Sequence, residues 1–277
     1  MSVENSLIAI CGASRGIGAA TARELASRGY HVLAGVRTPE DAEAIRADRI
    51  EPVMLDITIS AHVEALAARV AADPQQRTLT AVINNAGSEI NAPVEVLPLS
   101  TWCEQFDVNF FGHIAVTQAL LPALRRSKGR VVNISSVGGE VVLPIYGAYA
   151  STKFALEAAS DALRREVASQ GIQVVVVQSG GVKTVMADRS GAISLDIAAG
   201  MSAEHRALYS DLISSTVKFR STFLAHAIPA ARAGAKIARI ATTRRPRPRY
   251  TLGLDAAITI PLNRLLPTRI MDRVLSR

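Results

Sequence analysis

Short apolar runs of strand length alternate with longer amphipathic stretches through the first two thirds of the chain. The runs lie near 6–11, 31–36, 51–55, 79–84, 130–135 and 172–178, with segments such as Leu7-Ile8-Ala9-Ile10, Ala81-Val82-Ile83 and Val174-Val175-Val176-Val177. Their apolar residues are continuous, not alternating, as a parallel strand covered on both faces requires. Between them, 3.6-residue periodicity predicts helices near 16–28, 39–47, 60–72, 101–127 and 149–169. In the last of these, Phe154, Leu156, Ala159, Leu163 and Val167 recur at helical spacing. Strand and helix alternating in this way predict an α/β fold, a doubly wound parallel sheet with helices on both faces.

Beyond Val182 the pattern changes. Helical stretches near 202–225 and 228–242 precede Arg245-Pro246-Arg247-Pro248-Arg249-Tyr250-Thr251-Leu252, which reads as the start of a seventh strand. Its two prolines restrict that strand to an edge or to its own first residues. The tail mixes Ile258, Ile260, Leu262, Leu265 and Leu266 with Arg264, Arg269 and Arg273, and reads as an amphipathic flap at about 254–277. No repeat and no clean linker divides the chain, so 1–277 is expected to form a single domain.

Composition narrows the class. With 49% hydrophobic and 20% charged residues, the chain is neither disordered nor collagen-like nor a coiled coil. Cys11 and Cys103 are too few for a disulfide framework or a cysteine-based zinc site, which fits a reducing, cytoplasmic setting. His31, His62, His113, His205 and His226 have no mutual metal-ligand spacing, so no metal is expected. The first residues lack the positive region of a signal peptide, and no apolar stretch reaches the ~18 residues that span a bilayer. The formal charge of +7 is regional: no acid lies between Asp211 and Asp255, where Lys218, Arg220, Arg232, Lys236, Arg239, Arg244, Arg245, Arg247 and Arg249 fall. Thin aromatic interleaving and the lack of a binding motif point to a solvated face and away from nucleic acid. Peripheral contact of the Arg-rich tail with an anionic membrane is the minor alternative.

The chemistry concentrates at strand ends. Gly12-Ala13-Ser14-Arg15-Gly16-Ile17-Gly18 follows the first strand and opens the first helix. Glycines there serve either a plain tight turn or a backbone that must approach a pyrophosphate at a helix N-terminus. The second strand ends in Gly35-Val36-Arg37, where an acid would hold a ribose 2′-hydroxyl. Arg37 and Arg15 instead suit a 2′-phosphate, which favours NADP(H) over NAD(H), the bland reading being two solvated arginines. Asn84-Asn85-Ala86-Gly87 ends the fourth strand, as a ligand contact or a simple turn. Ser135 and Ser136 end the fifth, where a hydroxyl can steady a carbonyl oxygen or cap a turn. Tyr149 and Lys153, at i and i+4, share one helix face; an ammonium beside the phenol would lower its pKa and make it a usable acid or base. Tyr146 has Ala150 at its own i+4 position and is not the candidate.

In this order and spacing the motifs resemble the short-chain dehydrogenase/reductase family, over roughly residues 5–190. The resemblance implies a seven-stranded Rossmann-type sheet and NAD(P)-linked oxidation of alcohols or reduction of carbonyls. By it, Tyr149 would be the acid/base, Lys153 would bind the nicotinamide ribose, and Ser136, thirteen residues before Tyr149, would hold the substrate oxygen. Asn109 would support a water relay, Asp56 would contact the adenine amino group, and Ile57 would flank the ring. Gly12, Ser14, Arg15, Gly16, Ile17, Gly18, Asn85, Ala86, Gly87, Gly180, Val182 and Thr184 complete the implied cofactor site. Two departures stand out: Cys11 where the family has Thr, and Ser179 where it has the Pro of a Pro-Gly segment beside the nicotinamide carboxamide.

The subgroup look is that of hydroxysteroid and retinol dehydrogenases. This implies a bulky apolar alcohol or ketone, a substrate lid at about 187–226 and assembly as a homodimer or homotetramer through the helices near 101–127 and 149–169. The lid carries Ile193, Leu195, Ile197, Met201, Leu208, Tyr209, Leu212, Ile213, Phe219, Phe223 and Leu224. The rival expectation is a catalytically silent nucleotide-binding regulator or redox sensor on the same fold, for which Ser179 is the hint.

Overall fold

The computed structural model describes residues 3–275, apart from the side chain of Phe223. The six expected runs form β1 (Ser6–Cys11), β2 (His31–Val36), β3 (Ile50–Met54), β4 (Thr78–Asn84), β5 (Arg130–Ser136) and β6 (Gln173–Ser179). Two short strands follow, β7 (Val182–Lys183) and β8 (Ile228–Pro229), and then β9 (Arg249–Leu252). The main sheet is parallel throughout, in the order β3-β2-β1-β4-β5-β6-β9. β9 is an edge strand, and Pro248 serves it through its carbonyl, which accepts from the Val176 N–H at 2.8 Å. A proline here removes no ladder donor that a neighbour needs.

The strands are continuous in sequence because both faces are covered. Ile8 and Ile10 of β1 point into one core with α1 (Gly16–Ser27), the short α2 (Pro39–Ile45) beside β2 and β3, and α9 (Ala230–Thr242). Leu7 and Ala9 point into the other, with α3 (Ser60–Ala71) and α5 (Gly112–Ser127). Successive side chains of one strand therefore serve two separate apolar layers. α1 and α9 touch backbone to backbone: a Cβ on Gly234 would lie 2.6 Å from the Ala20 carbonyl carbon.

The helix expected over 101–127 is two helices, α4 (Leu99–Phe106) and α5, joined by a π-helical turn at Asp107–Phe111 that leaves Asn109 fully buried. α6 (Gly147–Glu166) matches the expectation for 149–169. α7 (Val185–Gly200) and α8 (Ala203–Ala225) occupy the segment expected as a lid, and α10 (Leu254–Leu265) and α11 (Thr268–Leu275) the segment expected as a C-terminal flap. The unexpected feature is the small parallel sheet of β7 and β8, which takes Ile228 and Pro229 out of the helix expected from 228. Pro229 then becomes the N-cap of α9.

The basic stretch does not form one solvated face. Arg220 is half-buried and pairs with Glu89, Arg249 pairs with Glu157 and Asp161 at 3.0 Å each, and Lys236 donates to the Thr251 carbonyl at 2.7 Å. Arg244, Arg245 and Arg247 remain exposed. No helix of the described residues is long and apolar enough to cross a membrane.

Candidate active site

The sheet order reverses between β1 and β4, and at their carboxyl ends the two following loops interlock. Gly12 has φ +69°, and a Cβ there would lie 2.7 Å from the Ala86 Cα. A Cβ on Gly18 would lie 2.1 Å from the Gly12 carbonyl oxygen, so this glycine packs the loop rather than lining the cleft. Asn85 ties the loops together, donating from Nδ2 to the Gly12 and Cys11 carbonyls at 2.7 and 3.3 Å. Its own N–H donates to the Cys11 Sγ at 3.2 Å, so a thiol fills the place of the family's Thr without leaving that amide unpaired. Arg15, the N-cap of α1, gives its first amides no side-chain cap. A backbone so close-packed, ending in open helix amides, fits a pyrophosphate.

Above these loops lies a cavity of ≈ 680 Å³. Among the residues singled out from sequence, Gly12, Ser14, Arg15, Gly16, Ile17, Arg37, Asp56, Ile57, Asn85, Ala86, Gly87, Ser136, Tyr149, Lys153, Gly180, Val182 and Thr184 all line it. At one end Asp56 accepts from the Thr58 N–H and hydroxyl at 3.0 and 2.7 Å, and Arg37 stands exposed nearby. Arg15 departs from expectation: its guanidinium meets Asp41, in the first turn of α2, at 3.3 Å. Of the two arginines, Arg37 makes no close ion pair among the described residues, although its charge acts on Asp56.

At the other end, Tyr149 and Ser136 face the cavity side by side, close enough for the Ser136 hydroxyl to act on the phenol. Ser136 Oγ also accepts the Gly138 N–H at 3.0 Å, which orients the hydroxyl, while Ser135 packs against Gly139. Lys153 donates to the Ile134 carbonyl at 3.1 Å and sits 5.8 Å from the Tyr149 ring centre. Burial lowers the Lys153 pKa to about 8. The phenol moves opposite to the sequence expectation. Burial, seconded by the Glu89 carboxylate, raises it, and the Ser136 hydroxyl and Arg220 only partly oppose them. Desolvation penalises the phenolate more than the Arg220 guanidinium favours it. Asn109 lies behind the cavity, gripping Ser88 through two 2.8 Å bonds and reaching the Thr152 hydroxyl at 3.2 Å. Asn84 bonds Asn133 and Thr117 instead of facing the cleft.

Sequence reasoning missed a charged pair. Glu89, two residues past Gly87, meets Arg220 of α8 at 3.0 Å inside the cavity wall. Glu89 also takes a hydrogen bond from Asn91, and Arg220 reaches the Ala187 carbonyl and the Ser190 hydroxyl of α7. The pair stitches both lid helices to the loop after β4. An acid directly beyond the Asn-Asn-Ala-Gly turn was the available signal for Glu89; nothing local marks Arg220.

The segment with Ser179 in place of proline is held from elsewhere. Asp255 of α10 accepts the Gly181 N–H at 2.6 Å, and the Gly180 N–H donates to the Leu252 carbonyl at 2.8 Å. Thr184 caps α7, accepting from the Ala187 N–H at 3.2 Å, and its methyl faces Gly16 across the cleft. Among the described residues, no group of three or more His, Cys, Asp or Glu is placed to hold a metal.

The family model for short chain dehydrogenase matches residues 6–193. An uncharacterized oxidoreductase of Escherichia coli, YbbO, is 34% identical over 269 residues, covering 97% of this chain and 93% of its own. Human retinol dehydrogenase 16 is 33% identical over 294 residues, covering 99% of this chain and 88% of its own. A solved short-chain dehydrogenase from Streptomyces avermitilis superposes with a TM-score of 0.77 at 29% identity, over 97% of this chain and 93% of that one.

Proposed function

Because the chain belongs to the short chain dehydrogenase family, and so is an NAD(P)-dependent oxidoreductase, we propose that it moves a hydride between NADP(H) and an apolar secondary alcohol or ketone of steroid-, retinoid- or other lipid-like size. The observation that carries this reading is the convergence of Ser136, Tyr149 and Lys153 in one cavity with the glycine loop of α1. Ile90, Val137, Val141, Leu143, Ile193 and Phe219 give the cavity an apolar stretch of wall beside the Glu89–Arg220 pair. The likeness to a relative named retinol dehydrogenase supports the substrate class.

NADP(H), when bound, supplies or accepts the hydride. The α1 amides with Ser14 and Gly16 would hold its pyrophosphate, Arg37 its 2′-phosphate, and Asp56 and Ile57 its adenine. Lys153 would hold its nicotinamide ribose, and Gly180, Val182 and Thr184 would contact its carboxamide. In the reductive direction Ser136 donates a hydrogen bond to the substrate carbonyl as charge develops there, and Tyr149 gives up its proton to the same oxygen. The raised phenol pKa keeps that proton in place across the neutral range until the oxygen needs it. Asn109 supports the path that returns a proton to Tyr149.

The test combines a fluorescence titration with NADPH and NADH and turnover of a panel of steroid, retinoid and shorter ketones. Tyr149→Phe should bind NADPH as the parent chain does and lose turnover by about 10²- to 10⁴-fold. Unchanged turnover would remove Tyr149 from the chemistry, and nucleotide binding without any turnover in the parent chain would favour the silent regulator. Arg37→Asp should weaken NADPH binding at least tenfold, as loss of a charged hydrogen bond does, while leaving NADH nearly unaffected; equal effects would count against the 2′-phosphate role.

A further inference from the structure

The C-terminal flap is amphipathic with its apolar side outward. Leu254, Ile258, Leu262 and Leu265 recur at helical spacing along α10 and are 80%, 58%, 45% and 80% exposed. On α11 Ile270 and Val274, one turn apart, are 43% and 54% exposed. The opposite side of α10 is fixed in place by packing and polar anchors. Ala256 and Ile260 are buried, and Asp255 accepts the Gly181 N–H. Asn263 donates to the Glu140 carbonyl at 2.7 Å, and Arg264 pairs with the Glu140 carboxylate. With those anchors engaged, the helix cannot turn its leucines inward. A contiguous apolar face kept in water in this way marks a contact surface.

We propose that α10 and α11 form a docking surface for an anionic lipid bilayer at the mouth of the cavity. Three observations select this occupant. The exposed Arg269 and Arg273 stand next in sequence to Ile270 and Val274 on α11, so cations border the apolar face as in helices that lie in the headgroup region. The chain carries a formal charge of +7, complementary to an acidic surface. The same two helices contribute Asp255, Thr259 and Leu275 to the cavity wall, and Val185 and Met186 of the wall are themselves 44% and 41% exposed. The flap that carries this face thus also borders the cavity, through the other side of α10. Resting on the reading of a lipid-like substrate, this placement lets a molecule dissolved in the bilayer enter the cavity without crossing water.

The experiment is co-sedimentation of the full chain with vesicles of phosphatidylcholine mixed with phosphatidylglycerol, and with phosphatidylcholine alone. Binding is expected to the mixed vesicles and to fall as salt is raised. Arg269→Gln with Arg273→Gln should weaken it about thirtyfold, from about 1 kcal/mol per basic residue. Leu254→Ser with Leu265→Ser should weaken it at least as much. Both sites are on the surface, and unchanged NADPH binding verifies that each variant is folded. Absence of binding to mixed vesicles overturns the proposal, as does equal binding to both vesicle types that the variants leave intact. Loss of self-association in the leucine variant would also overturn it, by showing that a second copy covers the face. Sedimentation is read without turnover, so this result and that of the hydride-transfer test fail or stand separately.

Discussion

A lysine buried in an α/β core penalises the fold in a way that an apolar residue at the same place would not. Lys153 titrates at about 8 in the folded chain against an ordinary 10.5. Between those two values the folded state binds fewer protons than the unfolded one, so stability rises with pH across that window. Below pH 8 the full cost of burying the cation is present, about 3 kcal/mol. Lys153→Met removes that cost but also the hydrogen bond to the Ile134 carbonyl, itself about 1 kcal/mol. At pH 7 the variant should therefore unfold at a higher temperature, gaining about 2 kcal/mol, while turnover is lost. The gain should shrink as pH passes from 8 toward 10.5. Calorimetry across pH checks this, and a lower midpoint at pH 7 would show that the ammonium is stabilised by partners that outweigh its burial. The opposite shifts of Lys153 and Tyr149 share one cause, because desolvation favours the neutral form of each.

At the scale of elements, the lid is joined to the site by charge as well as by the apolar contacts of Ile145, Met201 and Ile213. Removing one partner of the Glu89–Arg220 pair leaves a buried charge alone, a cost of about 3–5 kcal/mol in well-enclosed cases. Arg220→Met should accordingly raise KM more than tenfold and speed amide exchange in α7 and α8, with NADPH binding retained. Glu89→Gln placed in the same chain should restore most of the protection, since the lone carboxylate is then gone. Exchange unchanged in the single variant would reduce the pair to a surface-like contact. None of this was legible in the sequence: Glu89 and Arg220 are brought together by the fold of α8 over the β4 loop. What was legible obeyed local rules. β1 to β6 were readable because burial on both faces makes them continuously apolar, and Tyr149 and Lys153 because one helix turn sets their spacing. The π-helical turn at 107–111 was hidden because it changes the helix pitch without changing the run of apolar residues. The outward face of α10 was hidden because periodicity shows that a helix has two sides, and only anchors such as Asp255 and Asn263 decide which side is in.

At the scale of the whole molecule, a second apolar surface lies on the opposite helical layer from the glycine loop. The π-helical turn packs against α6, and there Phe111 is 56% and Phe154 43% exposed. Phenylalanines this open at a helix–helix junction are costly in water and are relieved when another copy covers them. Members of this family are commonly oligomers, and we propose that two or four copies meet through α5 and α6. A specific interface of this kind buries on the order of 1,600 Å² in total, so two carboxylates at its centre should prevent it. Phe111→Glu with Phe154→Glu should convert a dimer or tetramer into a monomer by sedimentation velocity, with the NADPH site intact because neither residue lines the cavity. An unaltered assembly would place the contact elsewhere. The monomeric variant also separates the two surfaces: if it still binds anionic vesicles, then α10 and α11 act within one copy, and assembly serves only to multiply the number of feet set on the bilayer.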